Sequence, residues 1–197
     1  MGPAQLDLLH AYQRLLADRG IPLGVVSEAD HDRLWDRHVT DSLRPLACIP
    51  DQATLADLGS GGGLPGIPIA IARPDTTVTL VEARRRRVAF LELAIDTLGL
   101  PNVQVLASRV EDAPLRVSGC TARALAPAVE AWRLASPLLP RGGFLIYWAG
   151  RSWDRRQMED LAGMGLEAEV CSPPSTVWHG SVVKMARTVL DPEQGMQ

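Results

Sequence analysis

Asp57-Leu58-Gly59-Ser60-Gly61-Gly62-Gly63-Leu64-Pro65-Gly66 carries five glycines between positions 59 and 66. Glycine lets a backbone turn sharply and approach a bound molecule closely. The run therefore reads as a ligand cradle, since a tight turn alone seldom needs so many glycines. No Gly-Lys-Ser/Thr follows, which excludes a P-loop. Gly61, Gly63 and Gly66 satisfy G-x-G-x-x-G, and Glu82 lies about 20 residues on, where the ribose-binding acid of a dinucleotide fold belongs. Spacing alone leaves that dinucleotide reading open.

The acids shift the balance. Asp57 enters the loop and would repel a pyrophosphate, whereas the ammonium of S-adenosyl-L-methionine welcomes a carboxylate. Glu82 stands where a ribose would lie, and Glu111-Asp112 are placed to reach an adenine amine. Loop, Glu82 and Glu111/Asp112 fall at successive strand ends, matching methionine, ribose and adenine along one edge. Each acid also has a plainer reading. Asp57 could cap the following helix, Glu82 could be solvated, and Glu111 and Asp112 could sit in the first turn of a short helix.

The elements that must position these residues alternate. Thr54–58, Thr77–81, Val103–106, Thr121–125 and Phe144–148 have the composition of short strands. Residues 67–72, 86–98, 129–139 and 154–164 read as helices, with Gly99 closing the second. Alternation of this kind gives a Rossmann-like doubly wound α/β sheet. Two further strands, 168–171 and 182–189, follow without a crossover helix, so they should run antiparallel to each other. Before Pro50 the chain reads as helical. Leu6, Leu9, Tyr12, Leu15 and Leu16 repeat at helical spacing, and a second helix starts at Ser27 and runs towards Leu43. The expected organisation is one domain over 1–197, with a helical cap at 1–50 and a core at 51–190.

The net charge of −3 is no mark of a broad nucleic-acid surface, but almost every cation is arginine, Lys184 being the one lysine. Arginine's planar fork suits phosphate and guanine; a GC-rich genome would give the same bias. Arg84 to Arg87 open a helix, where cations oppose the dipole, so phosphate or guanine binding competes with a solvated helix start. Cys48, Cys120 and Cys171 are scattered and odd in number, which points to buried thiols in a reducing cytoplasm and no metal site. No apolar run is long enough for a membrane span or a signal peptide.

His38-Val39-x-Asp41-Ser42-Leu43 and the run from Asp57 to Pro68 resemble the bacterial 16S ribosomal RNA guanine-N7 methyltransferases, the glucose-inhibited division protein B family. Arg87-Val88-Ala89-Phe90-Leu91, Ser108-Arg109-Val110-Glu111-Asp112 and Ala122-Arg123-Ala124 extend the likeness over about residues 31–150. The resemblance implies a seven-stranded sheet with the last strand inserted antiparallel. It implies cofactor contacts from Gly59, Leu64, Val110, Glu111 and Arg123 with Glu82 at the ribose, beside the Asp57, Gly61 and Gly63 contacts read from the loop. Arg86, where the family usually has lysine, and Arg123 are the expected catalytic pair. The implied partner is 16S ribosomal RNA or the small ribosomal subunit, met by a cytoplasmic monomer. Guanine N7 presents a lone pair in the ring plane, so methyl transfer needs no base. Neither an Asn/Asp-Pro-Pro-Tyr/Phe motif nor a Pro-Cys nucleophile is present. The chain departs from the family at Pro22-Leu23-Gly24, Ala149-Gly150 and His179-Gly180, in place of Asn-Leu-Thr, Lys-Gly and Arg-His. The alternatives are the same fold acting on a small molecule or another RNA, a non-catalytic binding module, and an NAD-dependent oxidoreductase. His38 and Trp148 could touch RNA, though packing roles suit both.

Overall fold

The computed structural model describes residues 1–150, 153–173 and 180–188. The chain opens with helix α1 (Pro3–Leu15), begun by proline in its first turn. Leu9, Tyr12 and Leu16 bury one face of it and of the π-helical turn that follows. Ser27 caps the next segment as expected, its hydroxyl accepting from Ala29 N. The expected single helix from Ser27 to Leu43 is instead a 3₁₀ stretch (Glu28–Arg33) followed by a π-helical one (Leu34–Thr40). Changing the turn size re-aims the side chains, and it is the 38–44 segment whose polar groups reach the sheet.

From Thr54 the alternation holds. Strands β1 (Thr54–Leu58), β2 (Thr77–Val81), β3 (Val103–Leu106), β4 (Gly119–Arg123) and β5 (Phe144–Trp148) follow in order, with α2 (Gly66–Ala72), α3 (Arg85–Leu98) and α4 (Ala128–Ala135) after β1, β2 and β4, while β3 passes to β4 through a helix-free segment, 107–118. Gly99 ends α3 at φ 60°, a left-handed cap that glycine takes without a Cβ penalty. Helix α5 (Arg155–Gly163), capped by Asp154, leads to β6 (Leu166–Ser172) and β7 (Val182–Arg187). Val189, expected in the last strand, lies outside the described residues, as does His179.

The sheet order is β3-β2-β1-β4-β5-β7-β6. Strands β1 to β5 pair in parallel, and β7 enters antiparallel between β5 and β6. The Rossmann-like seven-stranded sheet is therefore as expected, including the inserted last strand. The fourth strand begins two residues earlier than its composition suggests. Gly119 pairs beside Phe144, whose ring leaves no room for a Cβ, and Ala124 at φ 53° ends the extended run.

Alternation along the strands splits the core into two faces. Phe144, Ile146 and Trp148 of β5 pack with the cap, α2 and α3, while Leu145 and Tyr147 pack with α4 and α5. In β4, Cys120 and Ala122 belong to the second face, which turns Thr121 and Arg123 towards the cap. No described helix is long and apolar enough to cross a membrane.

The expectation of three free thiols needs correction. Cys48, at the end of the cap, is disulfide-bonded to Cys171 of β6, with Cα atoms 6.0 Å apart across a sequence separation of 123. Odd number and scattered spacing carry no information about such a long-range meeting, which the inserted β7 and outer β6 create. Cys120 is free and buried as expected, and burial pushes its thiol up to about 12, leaving it unreactive at neutral pH.

Candidate functional site

The sheet order reverses between β1 and β4, and ligands of open α/β sheets bind at the carboxyl edge near such a switch point. The glycine loop leaves β1 there. Gly59, Gly61 and Gly63 all have positive φ, between 58° and 87°. A Cβ on Gly63 would stand 2.5 Å from Ile67 Cδ1, so substitution there meets both strain and a clash. Ser60 N donates to Val81 O and Gly63 N to Ser60 O, which folds the loop back over the end of β2.

Asp57 is fully buried, and its carboxylate turns inward. Oδ1 accepts from Thr121 Oγ1 at 2.7 Å, and Oδ2 accepts from Gly66 N at 3.2 Å, in the first turn of α2. These two bonds match the helix-capping alternative, which stands beside the expected contact with a cofactor ammonium. Desolvation is the largest influence and raises Asp57 to about 6, against the lowering effect of its hydrogen bonds and of Arg123.

Glu82, just past β2, is 5% exposed rather than solvated. Its Oε2 accepts from Gly61 N at 3.1 Å and its Oε1 from Arg84 N at 2.9 Å, with Arg87 Nη1 3.5 Å from Oε2. One carboxylate thus fixes the loop, the entry to α3 and an arginine whose charge it balances. Leu64 is half-buried in the loop, and Val110 is buried after β3. Glu111 and Asp112 are exposed and stand in a turn, so the helix alternative for them fails. Arg86 is exposed in the first turn of α3.

Arg123, expected at the cofactor, ends β4 at the carboxyl edge and reaches the cap. Its guanidinium donates to Arg37 O at 2.8 Å, to His38 O and Ser42 Oγ at 3.4 Å each, and to His38 Nδ1 at 3.2 Å. Asp41 Oδ2 stands 3.5 Å from Nη1. The ion pair of the plainer reading is therefore present, at the strand end where the functional reading places this residue. His38 Nε2 faces Asp30 Oδ2 at 3.1 Å. Burial first, then the charge of Arg123, lowers the pKa of His38. A neutral ring with its proton on Nε2 satisfies both partners, so His38 packs the cap. Trp148 is buried too, its Nε1 donating to Asp41 O at 3.2 Å.

Sequence reasoning missed Tyr12. Its hydroxyl, fully buried, donates to Gly62 O at 2.6 Å and ties α1 to the glycine loop. Burial and the Asp57 charge raise its pKa well above 10.0, so it stays a donor. Its place on the buried face of α1 was readable; the partner was not. A cavity of about 440 Å³ opens at the opposite, amino edge, lined in part by Gln52, Ser118, Phe144 and Lys184, far from this chemistry.

The arrangement has the parts to hold S-adenosyl-L-methionine. A cradle of positive-φ glycines ends against a buried acid, and exposed acids follow the next strand. The profile of the family described as rRNA small subunit methyltransferase G matches residues 5–168. A ribosomal RNA small subunit methyltransferase G from Nocardioides sp. is 38% identical over 94% of this chain and 74% of its own length. Another, from Kineococcus radiotolerans, is 42% identical over 92% and 75%. Among solved structures, a SAM-dependent methyltransferase from Aquifex aeolicus shares the fold with TM-score 0.61, at 15% identity over 83% of this chain and 97% of that one.

Proposed function

The chain belongs to the rRNA small subunit methyltransferase G family, and on that premise we propose that it transfers a methyl group from S-adenosyl-L-methionine to N7 of a guanine in 16S ribosomal RNA. The observation that carries the reading is the glycine cradle closed by buried Glu82 through Gly61 N. Gly59, Gly61, Gly63 and Leu64 would line the cofactor's methionine end, Glu82 its ribose, and Val110 with Glu111 its adenine. The bound cofactor supplies an electrophilic methyl on a sulfonium.

The rest is done by the chain. Asp57 sets the loop from beneath rather than by contact, and Tyr12 holds it from the cap side. Guanine N7 needs no deprotonation, so in-line positioning supplies the acceleration. Arg84, Arg85 and Arg86 are exposed beside the loop and suit phosphate contacts. Arg86 is the arginine we assign to the substrate; Arg123 is assigned to shaping the substrate side, reached through the cap. The cap at 1–50 and core at 51–190 act as one domain, supported by the Tyr12 and Arg123 contacts. On this reading the protein acts as a monomer in the cytoplasm on the small subunit.

The test is methyl transfer from radiolabelled S-adenosyl-L-methionine to 16S RNA and to small subunits, with strand scission at N7-methylguanine to map the product. Saturable binding of S-adenosylhomocysteine with none of NAD, and one labelled guanine, are expected. Label at a ring position other than N7 would overturn the assignment. A second reading keeps the cofactor and changes the acceptor. It is favoured by Ala149, buried after β5 with its N–H on Ser181 O, where the family resemblance expects lysine. Labelled transfer RNA with unlabelled 16S RNA in the same assay would establish it.

A further inference from the structure

The segment from His38 to Arg44 forms a socket with one carboxylate at its centre. Asp41 Oδ1 lies 2.9 Å from Arg44 Nη1 and its Oδ2 3.5 Å from Arg123 Nη1. The three side chains are 12%, 5% and 16% exposed, so this is a nearly buried Arg–Asp–Arg triad. The Asp41 backbone carbonyl accepts from Trp148 Nε1 at the end of β5. Arg44 also spans the far side of the sheet, donating to Ser172 O at the end of β6 and to Pro173 O and Gly180 O between β6 and β7. A single aspartate therefore joins the ends of β4, β5 and the β6–β7 pair.

Geometry explains the spacing of the motif. Arg123 points to the cap because its neighbours Cys120 and Ala122 take the other face of the sheet. His38 and Ser42 lie one turn apart, with Ser42 Oγ donating to His38 O at 2.6 Å, and both face the guanidinium. Asp41 is the only one of these three residues to offer a carboxylate. Without it the two guanidiniums would lose the carboxylate that lies between them and repel each other, a costly state.

We propose that Asp41 is a positioning residue for the methyl-transfer reaction, aiming Arg123 at the carboxyl end of β4 while Arg44 holds the ends of β6 and β7. The inference rests on the methyltransferase reading above. It assigns to the His38–Ser42 motif the work of setting the substrate side, separate from the glycine loop that sets the cofactor side. Asp41 acts through Arg123 and touches no reacting atom.

The experiment is a double-mutant cycle on the full chain with Asp41→Asn and Arg123→Met. It reads kcat/KM for methyl transfer to small subunits, normalised to sites titrated with S-adenosylhomocysteine. Asp41→Asn should lower kcat/KM by about tenfold or more, yet change Arg123→Met by less than about twofold, because both remove one function. A purely structural role would lower the number of titratable sites and leave normalised kcat/KM alone. Losses that multiply, or an unchanged kcat/KM in Asp41→Asn, would overturn the proposal. Should Asp41→Asn not fold, Asp41→Glu takes its place under the same criterion, since it keeps the charge and displaces the guanidinium. A wild-type protein that binds S-adenosylhomocysteine but methylates no ribosomal RNA defeats the parent reading instead. Positioning is then judged from the same cycle in transfer RNA methylation, with the same two outcomes.

Discussion

The two halves of the carboxyl edge are built differently. At the ends of β1 and β2 the ties are short-range: Asp57 to Gly66, Gly61 to Glu82, Glu82 to Arg84. At the ends of β4, β5 and β7 the polar groups are answered from the cap, across 82 residues for Asp41–Arg123 and 136 for Arg44–Gly180. The first half is a loop held mainly by its neighbours, with single ties from Tyr12 and Thr121; the second is a surface held by another part of the chain. A cradle that fixes its own backbone suits a small cofactor of constant shape. A side whose arginines are stationed by a separate helical segment can be re-aimed for a macromolecular substrate without disturbing the cradle.

The sharpest way to break this comparison is to strain the locally held half. Gly63→Ala places a Cβ at φ 87° and against Ile67 Cδ1. Strain of about 1–3 kcal/mol plus the clash should weaken S-adenosylhomocysteine binding by about 100-fold in calorimetry. Wild-type affinity would show that the loop is not the cradle. Glu82→Gln keeps the shape and removes the charge. Hydrogen bonds to charged groups are worth about 1.5–3 kcal/mol, so a loss of about 10- to 100-fold in the same titration is expected. An intact affinity would reduce Glu82 to a loop brace.

Asp57 sharpens the comparison through pH. Its ordinary value of 3.8 is raised by burial to about 6. Between those values the folded protein keeps a proton that the unfolded chain has released, so this group's contribution to stability falls as pH rises from about 4 to about 6. At 1.36 kcal/mol per unit the full effect is about 3 kcal/mol. Urea unfolding of Asp57→Asn should lack this decline. Parallel pH profiles for variant and wild type would place the carboxylate in a better-solvated setting than its burial indicates.

The smallest effect belongs to the cap-held half. Trp148→Phe removes the hydrogen bond to Asp41 O and should cost about 1 kcal/mol of stability, with S-adenosylhomocysteine affinity unchanged. If that affinity fell tenfold, the two halves would not be separable.

Legibility follows the same division. β2, β3 and β5 have the ends that their β-branched and aromatic runs suggest, and the glycine loop with Glu82 is visible because its spacing is local. The roles of individual residues were less visible. Asp57 was expected to meet a ligand, and its bond to Thr121, its register partner on β4, was not foreseen. Arg123 was expected at the cofactor, and its bonds to the cap were not foreseen, although alternation along β4 gave its face once Cys120 and Ala122 were seen to be apolar.

The amino-acid sequence by itself determined the strands, their alternation with helices and the cradle, because strand periodicity and glycine geometry act over a few residues; the seven-strand sheet with its inserted strand was implied by the family resemblance. Only the tertiary structure decided which charges meet. Asp41 with Arg123, Cys48 with Cys171 and Tyr12 with Gly62 are brought together by chain closure over tens of residues. No local pattern encodes those meetings, since a side chain's partner depends on the packing of elements that lie far apart along the chain.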